Sequence, residues 1–210
     1  MKRALATVLC VLVLLLGALP TQAAVAGYVP RAGDLVFQIS GSAQAEAVRL
    51  ATGATYGHVG VVFMVDGVPR VLEAGGDSVR YSSLQGFIAR SRGGKYAIKR
   101  LKNAGTALTA EHIRRMQAMG ESWRGRGYDK VFSWSDAEMY CTELVWKLYQ
   151  RVTGIELGRV ATIGEFDLRH PGVQKFLKER YGDRIPVEET VISPAELFRA
   201  PGLEIVFEAG

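Results

Sequence analysis

Apolar residues change their spacing along this chain. In the first half they form short, dense or alternating runs; in the second half they recur every three or four positions. Gly33-Asp34-Leu35-Val36-Phe37-Gln38 reads as a turn feeding a strand, and Ala43 to Ala51 as a helix that ends near Gly53. Val59 to Val65 and Val68 to Ala74 flank Asp66-Gly67, the signature of a two-residue hairpin turn. Ser82 to Ala89 reads as a short helix, Tyr96 to Leu101 as a strand, and Thr109 to Trp123 as a helix with Thr109 at its N-cap. The strongest helical pattern is Cys141 to Val152, closed by Gly154; Gly172 to Tyr181 follows Pro171. Ser193-Pro194-Ala195-Glu196 combines a capping box with proline at the first helical position, and Leu203 to Phe207 returns as a strand. Strands gathered early and helices late predict an α+β fold with helices packed on a mostly antiparallel sheet.

The N-terminus stands apart from this pattern. Lys2 and Arg3 precede an almost wholly apolar run from Ala4 to Leu19, Pro20 breaks it, and small residues follow at Thr21-Gln22-Ala23 and Ala24-Val25-Ala26. The run is shorter than the roughly 20 residues a membrane-spanning helix needs. It is expected to be a secretory signal peptide, residues 1–23, leaving a single domain, 24–210, exported to the periplasm or beyond. Roughly 185 residues can bury a full core. Cys10 lies in the apolar run and leaves with it, so the mature chain keeps Cys141 as its one cysteine.

Charge narrows the partners. The formal charge of +5 falls to +3 without Lys2 and Arg3. Arg90, Arg92, Lys95, Lys99, Arg100, Lys102, Arg124, Arg126 and Lys130 are scattered among acids, which reads as an ordinary solvated surface. No recognition motif points to nucleic acid.

A lone thiol at the start of a helix raises a chemical question. A cysteine nucleophile must become thiolate, and a helix N-terminus and a nearby imidazolium both favour that form. Of the three histidines, His112 falls in the first turn of a surface helix and His170 precedes Pro171 as a loop or cap residue. His58 instead begins His58-Val59-Gly60-Val61-Val62-Phe63, after Tyr56-Gly57. If Asp66-Gly67 is a two-residue turn, Val65 faces Val68 and Gly60 faces Glu73. His58 then lies diagonal to Glu73 on one face, roughly 7–8 Å away at the backbone and in reach of long side chains. A carboxylate there can fix the imidazole tautomer, as in a nucleophile–base–acid triad. The residues alone also admit an inert buried cysteine beside an unrelated hairpin. Cys141, His58 and Glu73 are all zinc ligand types, but no close pair such as CxxC or HxxxH supports a metal. No cofactor is called for.

These segments together resemble a known family. Gly33 to Gln38, Gly57-His58-Val59-Gly60-Val61-Val62, Val71-Leu72-Glu73-Ala74 and Tyr140-Cys141-Thr142-Glu143-Leu144-Val145-Trp146 occur in the order found in the permuted papain-like amidases of the YiiX and YaeF type, in the NlpC-like branch of papain-fold enzymes. The resemblance extends through Gly127-Tyr128-Asp129, Phe132 and Trp134 to Arg180-Tyr181-Gly182 and Val191-Ile192-Ser193-Pro194. It implies a circularly permuted papain-like fold, a small antiparallel sheet packed against helices. It also implies Cys141 as nucleophile, His58 as general base and Glu73 as the group that orients it. Thr142 stands where many relatives have serine.

The implied activity is amide or ester cleavage through an acyl-enzyme. The candidate substrates are a cell-wall peptide and an N-acyl or lipid-like compound, with association to a membrane or wall surface. A papain-like binding module, an acyltransferase and a thiol redox sensor remain as alternatives; the sensor leaves Glu73 without a role. Phe37, Val61, Phe63, Trp134, Tyr140 and Trp146 read first as core and second as the lining of an apolar cleft.

Overall fold

The structure is a computed structural model that describes residues 27–210. The expected signal segment, and the first residues of the expected 24–210 domain, lie outside the described residues. In chain order the elements are β1 (Leu35–Gln38), α1 (Ala43–Thr52), β2 (His58–Val65), β3 (Val68–Gly75), β4 (Ser78–Ser83), α2 (Leu84–Ala89), β5 (Tyr96–Leu101), α3 (Ala104–Ala107), α4 (Ala110–Trp123), β6 (Gly127–Tyr128) and β7 (Glu138–Met139). They continue with α5 (Cys141–Thr153), β8 (Ala161–Thr162), α6 (Pro171–Tyr181), β9 (Thr190–Val191), α7 (Pro194–Arg199) and β10 (Leu203–Ala209).

Eight strands form one sheet in the order β10-β5-β1-β2-β3-β4-β6-β7, and β8 pairs separately with β9. All the large-sheet pairs are antiparallel except β6 with β7. The α+β architecture expected from the sequence, with helices packed on a mostly antiparallel sheet, is what the chain adopts. The sheet is wider than the sequence pattern suggests. β4 is a full strand where only a helix from Ser82 was expected; that helix starts at Leu84, with the Ser83 side chain capping Gly86 N–H. The two-residue strands at β6 to β9 are too short to carry a period.

Central strands are covered on both faces, which explains their dense apolar runs. Leu35, Phe37, Val59, Val61, Phe63 and Leu72 face a large core completed by Leu144, Val145, Leu148 and Tyr149 of α5 and by Met116 and Trp123 of α4. Val36, Val62, Val71 and Ile98 face the other way, onto Leu84 and Phe87 of α2. A third cluster joins Ala47 of α1 to Val173, Phe176 and Leu177 of α6. Phe37, Val61 and Phe63 are therefore core, and Trp134 stacks edge-on against Trp146 at its margin.

Several cations assigned to open surface are structural instead. Arg100 forks onto both carboxylate oxygens of buried Asp34, at 2.6 and 2.8 Å, and Tyr28 donates to the same carboxylate. Lys99 is buried, its ammonium on the Phe198 carbonyl and 4.5 Å from the Phe198 ring centre. The Asp34 clamp ties the N-terminal segment and β1 to β5, which gives the Gly33-Asp34 turn its purpose.

Candidate active site

The hairpin sets the acid–base half of the site. Asp66 and Gly67 both take positive φ, 51° and 75°, the type I′ geometry that matches strand twist. The register runs Val65↔Val68 to Val61↔Leu72, so Glu73 follows opposite Gly60, as the sequence predicted. Glycine is required there: a Cβ at position 60 meets Val71 Cγ1 at 2.4 Å and the Leu72 carbonyl at 2.9 Å. With the hairpin closed, His58 Nε2 lies 2.7 Å from Glu73 Oε2. Glu73 is fully buried and His58 is 8% exposed, its ring stacked 5.4 Å from Phe87. Gly75 leaves the pair room, since a Cβ there comes within 2.9 Å of Glu73 Oε2 and 3.3 Å of the His58 ring.

Glu73 is surrounded by donors that the sequence pattern did not indicate. Ser82 donates to Oε1, Arg90 Nη2 reaches the same oxygen at 2.6 Å, and Arg80 Nε lies 3.5 Å away. Burial pushes the Glu73 carboxyl up, but His58, Ser82 and Arg90 outweigh it and hold the pKa down at about 2. Arg80 and Ser82 come from β4, and Arg90 follows directly on α2. The missed signal was Gly76-Asp77, a second two-residue hairpin turn between Gly75 and Ser78, which places Arg80 directly across from Glu73.

Cys141 is the first residue of α5 and is 5% exposed, a free thiol. It sits on the large-core side of the sheet, whereas His58 shares its face with Gly60 and Val62. The two meet because His58 is the first residue of β2, at the end of the sheet. With Nε2 committed to Glu73, the other ring nitrogen is left for the thiol, and Cys141 is near enough to act on the His58 charge. Burial pushes the His58 pKa down; the charge and hydrogen bond of Cys141, then those of Glu73, overcome this and raise it to about 9. The imidazole is thereby held in its charged form near neutrality, the partner a thiolate needs.

Both neighbours of the thiol grip one residue. Tyr140 Oη accepts the Ile192 N–H at 3.1 Å, and Thr142 Oγ1 donates to the Ile192 carbonyl at 2.6 Å. Glu143 accepts from Tyr140 N–H and is bonded to buried Lys147 at 2.6 Å; burial prevails over that ion pair and lifts its pKa to about 7. The other histidines stand apart. His170 caps α6, accepting from Gly172 N–H through Nδ1. His112, expected in solvent, is half-buried and donates through Nδ1 to the Ala107 carbonyl.

Cys141 and His58 line a cavity walled by α1, α6 and the Val191–Pro194 segment. Its walls include Ala47, Val48, Phe132, Phe166, Phe176 and Ile192, and no Asp, Glu, Lys or Arg. Tyr140 reaches this wall, whereas the other aromatics predicted for a cleft do not. Tyr128 also faces it, its hydroxyl accepting from Gln44 Nε2 at 3.0 Å. Burial, then the negative charge at Cys141, raises the Tyr128 pKa and keeps the phenol protonated.

Residues 29–207 match the family model described as permuted papain-like amidase enzyme, YaeF/YiiX, C92 family. The chain is 43% identical over 177 residues to the uncharacterized protein YiiX of Escherichia coli (strain K12), covering 84% of this chain and 86% of that protein. Its fold is similar to the crystal structure of the metalloprotein YiiX from Escherichia coli O157:H7, with a TM-score of 0.82, 42% identity, and coverage of 87% of this chain and 99% of that one.

Proposed function

Because this chain belongs to the permuted papain-like amidase family, we propose that it is a cysteine hydrolase acting through Cys141, His58 and Glu73 on an amide or ester that carries an apolar acyl group. The carrying observation is the single imidazole that is bonded to Glu73, has its pKa raised by Cys141 and lines one cavity with that thiol. A binding module has no need of a charged histidine held by a buried carboxylate.

In the proposed reaction the Cys141 thiolate attacks the carbonyl carbon, forming the C–S bond and a tetrahedral oxyanion. The Cys141 backbone N–H, at the helix end and without an intrahelical partner, donates to that oxyanion, and the protonated Tyr128 phenol stands beside it. Collapse breaks the C–N or C–O bond, and His58 hands its proton to the leaving amine or alcohol. Water, deprotonated by His58, then resolves the thioester. The mostly apolar cavity next to Cys141, lined by no Asp, Glu, Lys or Arg, favours a lipid-like or N-acyl substrate over a wall peptide. We propose further that residues 1–23 direct export, with association to a membrane surface; N-terminal sequencing of the periplasmic protein should begin after Ala23.

The E. coli O157:H7 relative is described as a metalloprotein. The donors here do not fit a metal: His58 Nε2 is already bonded to Glu73, and Glu73 is further occupied by Ser82 and Arg90. Among the described residues no group of three or more His, Cys, Asp or Glu is arranged to hold an ion.

The test is a screen of N-acyl amines, acyl esters and wall peptides with wild type and Cys141→Ala. Turnover of the acyl compounds is expected, with a thioester trapped on Cys141 and a loss of at least about 10⁴-fold in Cys141→Ala, which stays folded. Full activity in Cys141→Ala refutes the assignment.

A further inference from the structure

His58 lines two recesses of opposite character. One is the apolar cavity that contains Cys141. The other is an adjoining cleft that shares Ser40, Gln44, His58 and Tyr128 with the first and is lined by Arg80, Arg90, Lys130 and Arg180, with Glu73 as its one acid. That carboxylate is fully buried and already neutralised by His58 and Arg90, with Arg80 at 3.5 Å. Lys130 is exposed and forms no ion pair among the described residues, and Arg180 meets the Gln44 amide oxygen, at 3.5 Å, and the face of Phe176. Four cations over one spent acid leave a positive field at the door of the site. Such a field, in a cleft with low-dielectric walls, attracts and holds anions.

Reaction geometry assigns each recess to one half of a substrate. The acyl carbon bonds to Cys141 Sγ, so the acyl chain occupies the recess that holds Cys141. The leaving atom takes its proton from His58, so the group attached to it departs through the recess His58 shares with the cations. The geometry points to an amphipathic substrate whose leaving amine or alcohol carries an anionic group, a carboxylate or a phosphate. This rests on the acyl-hydrolase reading above and adds the other half of its substrate. Cleavage releases a fatty acid and a small acidic amine or alcohol; water supplies the hydroxyl and the proton.

The test is calorimetric binding to Cys141→Ala of a series with one dodecanoyl chain: N-acylglycine, N-acylethanolamine phosphate and neutral N-acylethanolamine. Wild-type turnover of the same compounds is followed in parallel. The anionic members are expected to bind at least about tenfold tighter than the neutral one, the gap narrowing with added salt. In Lys130→Gln/Arg180→Gln the preference should disappear while affinity for the neutral compound is retained. A preference for only one anion identifies the head group. Equal binding of anionic and neutral compounds overturns this inference and leaves the acyl-hydrolase reading standing. Binding of none of them overturns both, and turnover without head-group preference separates the two cases again.

Discussion

The two halves of the candidate site are held by opposite means. His58 and Glu73 are fixed by hairpin register and then by polar contacts: an imidazole, a hydroxyl and two guanidinium groups converge on one buried carboxylate. Cys141 is fixed by packing, as the first residue of a helix whose inner face is core. One half sets charge and the other sets position. A substitution in the first should therefore show in pH dependence, and one in the second in stability.

The largest effect expected from the polar half is that of Glu73→Gln. It keeps the shape but removes the negative charge and strands Arg90, so kcat/KM should fall by about 10²–10⁴-fold. The His58 pKa, no longer raised by Glu73, should drop below its present value of about 9, moving the alkaline limb of Cys141 alkylation to lower pH. The same groups predict the stability profile of the wild type. Glu73 is depressed from 4.5 to about 2, so its contribution is complete above 4.5 and lost as pH falls through 2. His58 is raised from 6.5 to about 9, so its contribution is complete below 6.5 and lost as pH rises through 9. Thermal melts should thus peak between these windows and flatten at the acid end in Glu73→Gln.

A smaller effect, on geometry alone, is expected from Gly75→Ala. Its methyl group meets Glu73 Oε2 at 2.9 Å, and Glu73 cannot yield without leaving Arg90 or His58. Activity should fall by roughly tenfold, since a misplaced acid–base pair costs more than a misplaced surface group. A lower kcat with a smaller shift of the pH profile than in Glu73→Gln would match this; unchanged kcat would show that the pair has slack. The smallest effect is expected from Thr142→Val, on the packed half. It strands the Ile192 carbonyl, costing about 1–3 kcal/mol of stability by chemical denaturation, with the pH profile unmoved.

The same contrast decides what could be read in the sequence. Strand parity and a two-residue turn brought His58 to Glu73 from spacing alone, and the apolar period from Cys141 placed the thiol at a helix start. Arg80, Ser82 and Arg90 were not legible as partners of Glu73. They lie on a strand and at the end of a helix whose outward residues look like solvated surface, and their target is a neighbour in space. Arg100 and Lys99 escaped for the same reason. The cavity wall drew on Ala47, Phe166, Phe176 and Ile192, from segments far apart in sequence, so no local pattern announced it.

The grip of Tyr140 and Thr142 on Ile192 joins two parts that a substrate must address separately. Ile192 belongs to the cavity wall, and its two holders flank the thiol on either side. Under the proposed function, an acyl chain that pressed this wall outward would pull on the residues that aim the sulfur. Chain length would then be a lever on turnover as well as on affinity, with the cavity measuring its occupant and the thiol feeling the measurement.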